Sequence, residues 1–265
     1  MTTTSRSAAI VKVGVCLASV FVAGVLAVAQ TRDNKPAAGV VPQFNITPTR
    51  LFIPKGQTSA SLVLRNDGAE ALRFQITAFR WSNDAEGQLV LQPTTDVVFF
   101  PMLFVVEPRQ TRRVRVAVTS KAIERELSYR LFIEQLPSRA EAQPSGVQML
   151  MRASIPLFVQ SPQLVARAMV DETKVAGGQL SFVVRNVGNV HVSIARVTMT
   201  MRARGFETQV PGWYLLSGET RRYHVALPAD ACREPGAMVR IAAMFADNPQ
   251  PLTIDHPIGA GDCAP

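Results

Sequence analysis

The sequence predicts an all-β protein built from two β-sandwich domains in tandem. Beyond position 42, apolar and polar residues alternate in short segments that are rich in Val, Ile, Phe and Thr. Gly, Pro, Asn or Asp bound most of these segments, and no amphipathic pattern long enough for a helix interrupts them. The pattern restarts after "QSPQ" at 160–163, which leaves about a hundred residues on each side, enough for a core of its own.

The composition is that of a globular protein and does not favour a nucleic-acid partner. The chain has 265 residues, of which 47% are hydrophobic and 18% charged, with a formal net charge of +8. Its 28 Lys and Arg residues are scattered among apolar residues. The densest group, "RQTRRVR" at 109–115, alternates like the solvated face of one strand. Zinc-finger spacing and aromatic RNA-binding motifs are absent from the sequence.

The first residues have the pattern of an export signal. A basic start with Arg6 and Lys12 is followed by an apolar run and by "AVA" at 27–29. We therefore expect a signal peptide at 1–29, a mature chain that begins near Gln30 and a flexible lead at 30–42. An uncleaved membrane anchor is the alternative, because 13–29 is at the short limit for spanning a bilayer.

Cysteine usage agrees with export. Cys16 would leave with the signal, and an even pair, Cys232 and Cys263, would remain. We expect these two to form a disulfide, which would close a loop of about 30 residues and contribute about 3 kcal/mol. A redox-active cysteine pair is the alternative, but the sequence contains no C-x-x-C motif. We do not expect a metal site either, since the three histidines are widely spaced.

The first domain, 43–160, contains the longest alternating segment. Its earlier strand candidates are "FNITPTRLFIP", "SASLVLRN", "LRFQITAFRW", "GQLVLQP", "DVVFFP", "TRRVRVAV" and "YRLFIEQLP", with a turn at "NDG". In "VQMLMRASIPLFV", 147–159, every odd position is apolar, so one long strand with one apolar face is predicted. An alternating strand normally buries its apolar side in its own core.

The second domain, 161–265, carries a similar series of segments. They are "LVARAMVD", "QLSFVVRN", "VHVSIARVTMTMR", "GWYLL", "TRRYHVALP" and "AMVRIAAMFAD". "LVLRNDG" at 62–68 and "FVVRNVG" at 182–188 correspond, since each is an apolar strand that ends in Arg-Asn before a Gly turn. This indicates either a weak internal repeat or two sandwiches that use similar turns.

Several segments, in their order and spacing, resemble the periplasmic chaperones of chaperone–usher pilus assembly. They are "TPTRLFI", "ITAFRW", "VVFFPMLFVVEPRQTRRVRV", "YRLFIEQLP" and "SIPLFV". "SIPLFV" and "FRW" are similar to the branch often termed archaic. The resemblance covers 43–160 well and the second domain loosely. It implies immunoglobulin-like sandwiches with a cleft between them, a periplasmic location, and a chaperone that binds, folds and caps pilus subunits and delivers them to an outer-membrane usher.

The resemblance also assigns a role to the long strand. Such a chaperone lends an edge strand to a subunit that lacks one, a case of β-strand addition for which pilins are a named example. The implied donor residues are Val147, Met149, Met151, Ala153 and Ile155, while Leu150 would face the chaperone's own core. An uncapped apolar edge would invite self-association.

Two further sets of residues follow from the resemblance. The resemblance implies that basic residues in the cleft bind the subunit's C-terminal carboxylate, and Arg50 matches the family arginine. Pro156 stands where the family has a lysine. Further candidates for the second basic residue are therefore Arg80 and Arg152, with Arg115 also possible. An interdomain ion pair is implied between Arg115 and Glu126, with Asp247 as the acid from the second domain.

An enzyme is not expected. Motifs such as G-x-S-x-G, H-E-x-x-H or a phosphate-binding loop are absent from the sequence, which also indicates no cofactor and no small-molecule substrate. The alternative is an exported adhesion or structural protein with similar sandwiches, which would not need a free apolar strand.

Overall fold

The computed structural model describes residues 44–122, 124–137, 149–231, 236–259 and 261–262, and these are almost entirely β-structure. Their regular elements are 18 strands and one short 3-10 helix at Arg202–Arg204. Within these ranges, no helix combines the length and apolar character needed to cross a membrane. The predicted fold, two immunoglobulin-like sandwiches in tandem, is confirmed.

Ten strands form the first sandwich. They are β1 (Phe44–Thr47), β2 (Leu51–Ile53), β3 (Ser59–Asn66), β4 (Leu72–Asn83), β5 (Leu89–Pro93), β6 (Val97–Phe100), β7 (Leu103–Val106), β8 (Thr111–Val118), β9 (Leu127–Leu136) and β10 (Arg152–Val159). Sheet I has the order β1-β3-β8-β6, and sheet II has the order β2-β10-β9-β4-β5, with β7 also on β4. On β8, Val114 and Val116 are buried while Arg113 and Arg115 are exposed, so the densest basic segment is one solvated strand face.

Eight strands form the second sandwich. They are β11 (Ala168–Ala176), β12 (Gln179–Asn186), β13 (Val192–Met201), β14 (Phe206–Pro211), β15 (Tyr214–Leu215), β16 (Thr220–Ala226), β17 (Met238–Phe245) and β18 (Leu252–Pro257). One sheet has the order β11-β12-β16, and the other has the order β14-β13-β17-β18, with β15 on β13. Each sandwich has its own core of alternating apolar residues, as the two series of segments predict.

The two Arg-Asn turns are the same structural device. Asn66 is buried, donates from Nδ2 to the carbonyls of Glu70 (2.7 Å) and Val106 (2.9 Å), and accepts from the amide of Gly68 (2.9 Å). Asn186 is also buried. Its three bonds are equivalent, with Val190 (2.8 Å), Leu215 (2.9 Å) and Gly188 (2.9 Å) as partners. In both sandwiches a buried amide therefore ties the turn to a neighbouring strand, which gives the sequence correspondence a structural cause.

The chain changes sheets between β1 and β2. β1 pairs with β3 in sheet I, whereas β2 runs parallel to β10 in sheet II. The crossing contains the cis peptide bond between Thr47 and Pro48. It places Arg50 directly before β2, at the end of sheet II that faces the second sandwich.

Contacts between the sandwiches are both apolar and polar. Trp81 and Phe158 on sheet II pack against Leu216 of the second sandwich. Next to them, Glu219 accepts hydrogen bonds from the backbone amide and the side-chain amide of Asn83, each at 2.8 Å. The outer face of sheet II, the one turned away from its own core, is therefore the face that meets the second sandwich.

Candidate functional site

The site begins at the free edge of β10. On one side β10 pairs along its whole length with β9, from Arg152 opposite Glu134 to Val159 opposite Leu127. On the other side, β2 covers only the last three residues, Leu157–Val159. Among the described residues, no strand pairs with 152–156 on that side, so the first part of β10 is an open edge.

The backbone of this edge is oriented for pairing. The amide of Gln135 donates to the carbonyl of Met151 (2.9 Å), so by the alternation of an antiparallel ladder the odd residues of β10 bond to β9. The even residues Arg152 and Ser154 then turn their amides and carbonyls toward the open edge. Pro156 occupies an even position, where its missing N–H leaves the ladder to β9 intact, as expected for proline in an edge strand.

The apolar side chains of this segment fall into two groups. Ile155, Leu157 and Val159 are buried in the core of the first sandwich. Met149 and Met151 share their parity, yet they are 64% and 36% exposed. They precede β10, which begins at Arg152, so the described part of the predicted strand 147–159 is shorter than expected. The apolar side of 149–159 is packed in the core in its second half and uncovered in its first.

The exposure of the implied donor residues shows which of them are accessible in the free chain. Met149 and Met151 are accessible in the free chain, and Ala153 is half-buried against the core. Ile155 is 4% exposed and already packed, so it is unavailable to a partner without unfolding the strand. Val147 lies outside the described residues. Leu150 does not face the chain's own core as expected, since 43% of it is exposed.

A cleft of about 530 Å³ lies between the two sandwiches, and Arg50 lines it together with Phe52. Glu126 and His191 also line it, with 2.7 Å between Glu126 Oε1 and His191 Nδ1. The His191 ring stacks on Phe158 at 3.8 Å between centroids. Arg50 thus lines the cleft, as Arg167 does, and its pairing with a subunit carboxylate stays a prediction.

Arg80 has a different environment from the one expected. Its Nη2 is bonded to Asp96 Oδ2, which also accepts a hydrogen bond from Tyr129 Oη at 2.9 Å. The Arg80 bond lowers the pKa of Asp96, with a smaller contribution from Tyr129. Burial, together with the bond to Asp96, raises the pKa of Tyr129 to about 12. Arg80 therefore already has a carboxylate partner within the first sandwich.

Arg152 lies on the open edge and also has a partner. Its Nε is 2.7 Å from Glu134 Oε1 on β9, and its guanidinium lies over the Phe132 ring at 3.9 Å. About half of the Arg152 side chain is exposed. It could reorient toward an added strand only by exchanging these contacts.

The residues of the implied interdomain ion pair do not come together. Arg115 contacts Ser59 Oγ at 3.4 Å on the exposed side of sheet I. Glu126 instead bonds both the ring and the backbone amide of His191, so the contact between sandwiches is carboxylate to histidine. Asp247 lines the cleft together with Glu126, but within the described residues no ion pair joins Asp247 to Arg115.

One residue of this region was missed by sequence reasoning. Arg130 on β9 is only 4% exposed, and its guanidinium lies 3.8 Å above the centre of the Trp81 ring. Burial lowers its pKa. It stands opposite Pro156 in the β9–β10 register, a pairing that "YRLFIEQLP" does not reveal by itself.

Cys232 and Cys263 both lie outside the described residues, so the disulfide between them stays a prediction. The described part of the chain contains no group of three or more His, Cys, Asp and Glu residues that could hold a metal ion.

Comparison with solved structures gives similar two-domain folds. The CsuC–CsuE chaperone–tip adhesion subunit complex from the archaic Csu pili of Acinetobacter baumannii is 17% identical, with a TM-score of 0.59 over 80% of this chain and 97% of that chain. The CupB2 chaperone of Pseudomonas aeruginosa is 19% identical (TM-score 0.54; 81% and 100% covered). For the Salmonella enterica SafA pilin in complex with the SafB chaperone the identity is 16% (TM-score 0.51; 81% and 96%).

A family model matches the first part of the chain. Residues 43–165 match the family described as "Pili and flagellar-assembly chaperone, PapD N-terminal domain". This range is the first sandwich, including the whole of β10. The first sandwich therefore matches the family of pilus-assembly chaperones, and the resemblance seen in the sequence is confirmed there. No curated protein matches the chain by sequence.

Proposed function

We propose that this protein is a periplasmic chaperone that binds pilus subunits through the open edge of β10 and passes them to an outer-membrane usher. The observation that carries the proposal is the open edge of β10 at 152–156, together with the exposed Met149 and Met151 directly before it. A subunit sandwich that lacks one strand would receive it as an added strand. The family match supports this role over that of an adhesion protein, which needs no open strand.

Backbone and side chains would contribute separately to binding. The outward amides and carbonyls of Arg152 and Ser154 would each add about 0.5–1.5 kcal/mol as net hydrogen bonds, independently of the subunit's sequence. Full burial of an exposed methionine would add about 1.5–3 kcal/mol. Methionine is unbranched and adapts to differently shaped pockets, which suits a chaperone for several subunits.

The cleft would fix the register of the added strand. Arg50 lines the cleft beside the open edge, and the C-terminal carboxylate of the subunit would pair with it. Charge-assisted bonds to arginine are bidentate and directional, so they would select one register where backbone pairing alone would accept several.

The same edge is a hazard when no subunit is bound. A free apolar strand edge pairs readily with another copy, so we propose that the subunit-free protein self-associates. The signal peptide, the mature start near Gln30 and the bond between Cys232 and Cys263 complete the proposal of an exported protein. We expect no catalytic activity and no cofactor.

Replacement of both exposed methionines tests the proposal. Met149→Asp with Met151→Asp should leave the melting temperature nearly unchanged and abolish recovery of a pilus subunit from the same genome that is co-expressed in the periplasm. The reason is that two carboxylates would enter an apolar groove without partners, at a cost of several kcal/mol. The matched control, Met169→Asp with Met238→Asp, changes methionines of the second sandwich that are 41% and 46% exposed and should retain the subunit. Loss of folding in the first variant, or undiminished recovery, would contradict the proposal.

A further inference from the structure

The two side chains that are proposed to enter a subunit carry accessible thioether sulfurs. The chain has nine methionines, and two of them, Met149 and Met151, lie directly before β10 with 64% and 36% of their surface exposed. Met199 and Met201, by contrast, are packed in the core of the second sandwich. An oxidant dissolved in water reaches exposed sulfurs first, so Met149 and Met151 are open to oxidation in the free chain.

The rest of the same apolar side does not share this chemistry. Its residues have aliphatic side chains, which mild oxidants leave unchanged, and three of them are packed in the core of the first sandwich: Ile155, Leu157 and Val159. Oxidation of the segment 149–159 is therefore confined to its uncovered half. It reaches the residues that a subunit would cover and spares the residues that hold the sandwich together.

Oxidation changes the property on which the proposed contact depends. A thioether is apolar and flexible, whereas a sulfoxide is polar and chiral. Its oxygen is a hydrogen-bond acceptor that would find no donor in an apolar groove, and burial of such an unpaired group weakens binding by roughly tenfold to a hundredfold. In the free chain the same oxygen stays in water. Oxidation should therefore impair capture and leave folding intact.

We propose that Met149 and Met151 form a reversible oxidation site through which peroxides prevent subunit capture. This deepens the proposed function and rests on it. The sulfur lone pair attacks one peroxide oxygen, so that an S–O bond forms and the O–O bond breaks. The sulfur loses two electrons, and the second oxygen leaves as water after it takes up the proton of the transferred oxygen. Reduction by a dithiol releases the sulfoxide oxygen as water, forms a disulfide in the reductant and restores the thioether.

The site responds only in the subunit-free protein. In the proposed complex the subunit covers both sulfurs, so a captured subunit protects them from the oxidant. Peroxide would therefore block new capture without releasing subunits that are already bound. This separates the proposal from general oxidative damage, which does not depend on whether a subunit is present.

One tryptic peptide reports both sulfurs. Cleavage after Arg139 and Arg152 yields the peptide 140–152, "AEAQPSGVQMLMR", which contains Met149 and Met151 but no cysteine, tryptophan or other methionine. When the full chain is treated with hydrogen peroxide, the mass of this peptide should rise by one and then by two oxygen atoms. In the complex with a pilus subunit the same gain should be slower by about tenfold or more, as for sulfurs that are accessible only after dissociation.

A second tryptic peptide is the internal control. Cleavage after Arg196 and Arg202 yields the peptide 197–202, "VTMTMR", whose two methionines, also two residues apart, are Met199 and Met201 of the core. This peptide should gain oxygen much more slowly in the folded chain. Equal rates for the two peptides, or equal rates for 140–152 in the free chain and in the complex, would overturn the proposal.

Capture by the oxidised chain tests the consequence. After removal of the peroxide, a pilus subunit from the same genome is diluted from urea into the sample, and the complex is isolated by size-exclusion chromatography. The oxidised chain should capture less subunit by about tenfold or more, at an unchanged melting temperature. Treatment with methionine sulfoxide reductases A and B together should restore capture, because each enzyme reduces one sulfoxide epimer. Unoxidised chain that receives the same reducing treatment controls for effects on Cys232 and Cys263.

Substitutions assign the loss to these two sulfurs. In Met149→Leu with Met151→Leu the oxidisable atoms are gone, so the ratio of capture after peroxide to capture before it should be close to one. The matched control, Met102→Leu with Met169→Leu, removes two other exposed methionines and should lose capture as the wild type does. The opposite result in the two variants would refute the assignment. The reductase treatment of the wild type decides the same question without any substitution.

The outcomes distinguish this site from the proposed function. Undiminished capture by a chain whose peptide 140–152 is fully oxidised would refute the oxidation site and leave the chaperone function standing. Absence of capture before any oxidation would refute the function itself, and with it the regulation that rests on it.

Discussion

The two halves of the segment 149–159 have the same sequence pattern and opposite environments. Ile155, Leu157 and Val159 fill the core of the first sandwich, whereas Met149 and Met151, on the same side of the strand, are exposed. What differs is the surrounding structure. β2 covers the edge only at 157–159, in the second half. The core of the first sandwich does not extend to Met149 and Met151. The comparison shows that one alternating segment can have its apolar side packed in the core along one half and uncovered along the other.

The residue types in the two halves agree with this division. The packed half uses Ile, Leu and Val, whose rotamers are well defined and suit a fixed environment. The open half uses methionine, which adapts to irregular surfaces. Pro156 stands at the boundary and ends the run of outward-facing amides there.

The largest predicted effect is a difference in stability between the halves. Leu157→Ala should lower the free energy of unfolding by about 2–5 kcal/mol, because it leaves a cavity in a packed core. Met151→Ala should lower it by less than about 0.5 kcal/mol, as is usual for surface positions. Urea denaturation of both variants at neutral pH measures the difference. Similar losses in the two variants would show that both halves belong to the core.

A second prediction concerns the backbone of adjacent residues. Ala153→Pro removes an amide that faces β9 and leaves an acceptor unpaired, so it should cost about 1–3 kcal/mol of stability. Ser154→Pro removes an amide that faces the open edge, so it should spare stability and weaken subunit capture by up to about tenfold. Thermal melting and subunit recovery measure the two effects.

The matched control for this pair is Ser154→Ala, because Ser154→Pro also removes the contact between the serine hydroxyl and Arg130. Ser154→Ala keeps the outward amide and should capture nearly as much subunit as the wild type does. If the two proline variants lose stability equally, the assignment of the outward amides is wrong.

The sequence predicted the fold more completely than the site. The period of two identified the strands, and the Arg-Asn turns identified two similar sandwiches, because both signals are local. The same period cannot reveal where the facing sheet ends, so Ile155 and Met151 looked equivalent. Their difference depends on where the core of the first sandwich ends, and residues distant in sequence, such as Leu51 on β2, form that core.

The arginines illustrate the same limit. Arg50 was found because its local motif resembles that of the family. Arg130 was missed, because its neighbour Pro156 is defined only by the β9–β10 register. Arg80 seemed available because its carboxylate partner, Asp96, follows an intervening strand and is brought close only by the folded sandwich. Charge and motif can propose cleft residues, but partners across strands decide which of them are free.

The smallest predicted effect is a pH dependence confined to the packed half. Tyr129 stands opposite Leu157 on β9 and donates to Asp96, whose pKa is lowered chiefly by its bond to Arg80. The folded state therefore binds fewer protons at Asp96 than the unfolded state does. The resulting stabilisation is fully present above the unfolded pKa of about 4 and is lost as the pH falls through the lowered folded value. Because the Arg80 side chain is half exposed, we expect it to be less than about 1 kcal/mol. In urea denaturation at pH 7, Asp96→Asn should lower the free energy of unfolding by this amount. The difference in free energy of unfolding between the variant and the wild type should shrink as the pH is lowered below about 4.

Subunit capture at pH 7 should be unchanged in Asp96→Asn, since the open half has no contact with the cluster of Arg80, Asp96 and Tyr129. A capture defect in Asp96→Asn at full stability would show instead that the two halves of the strand are coupled.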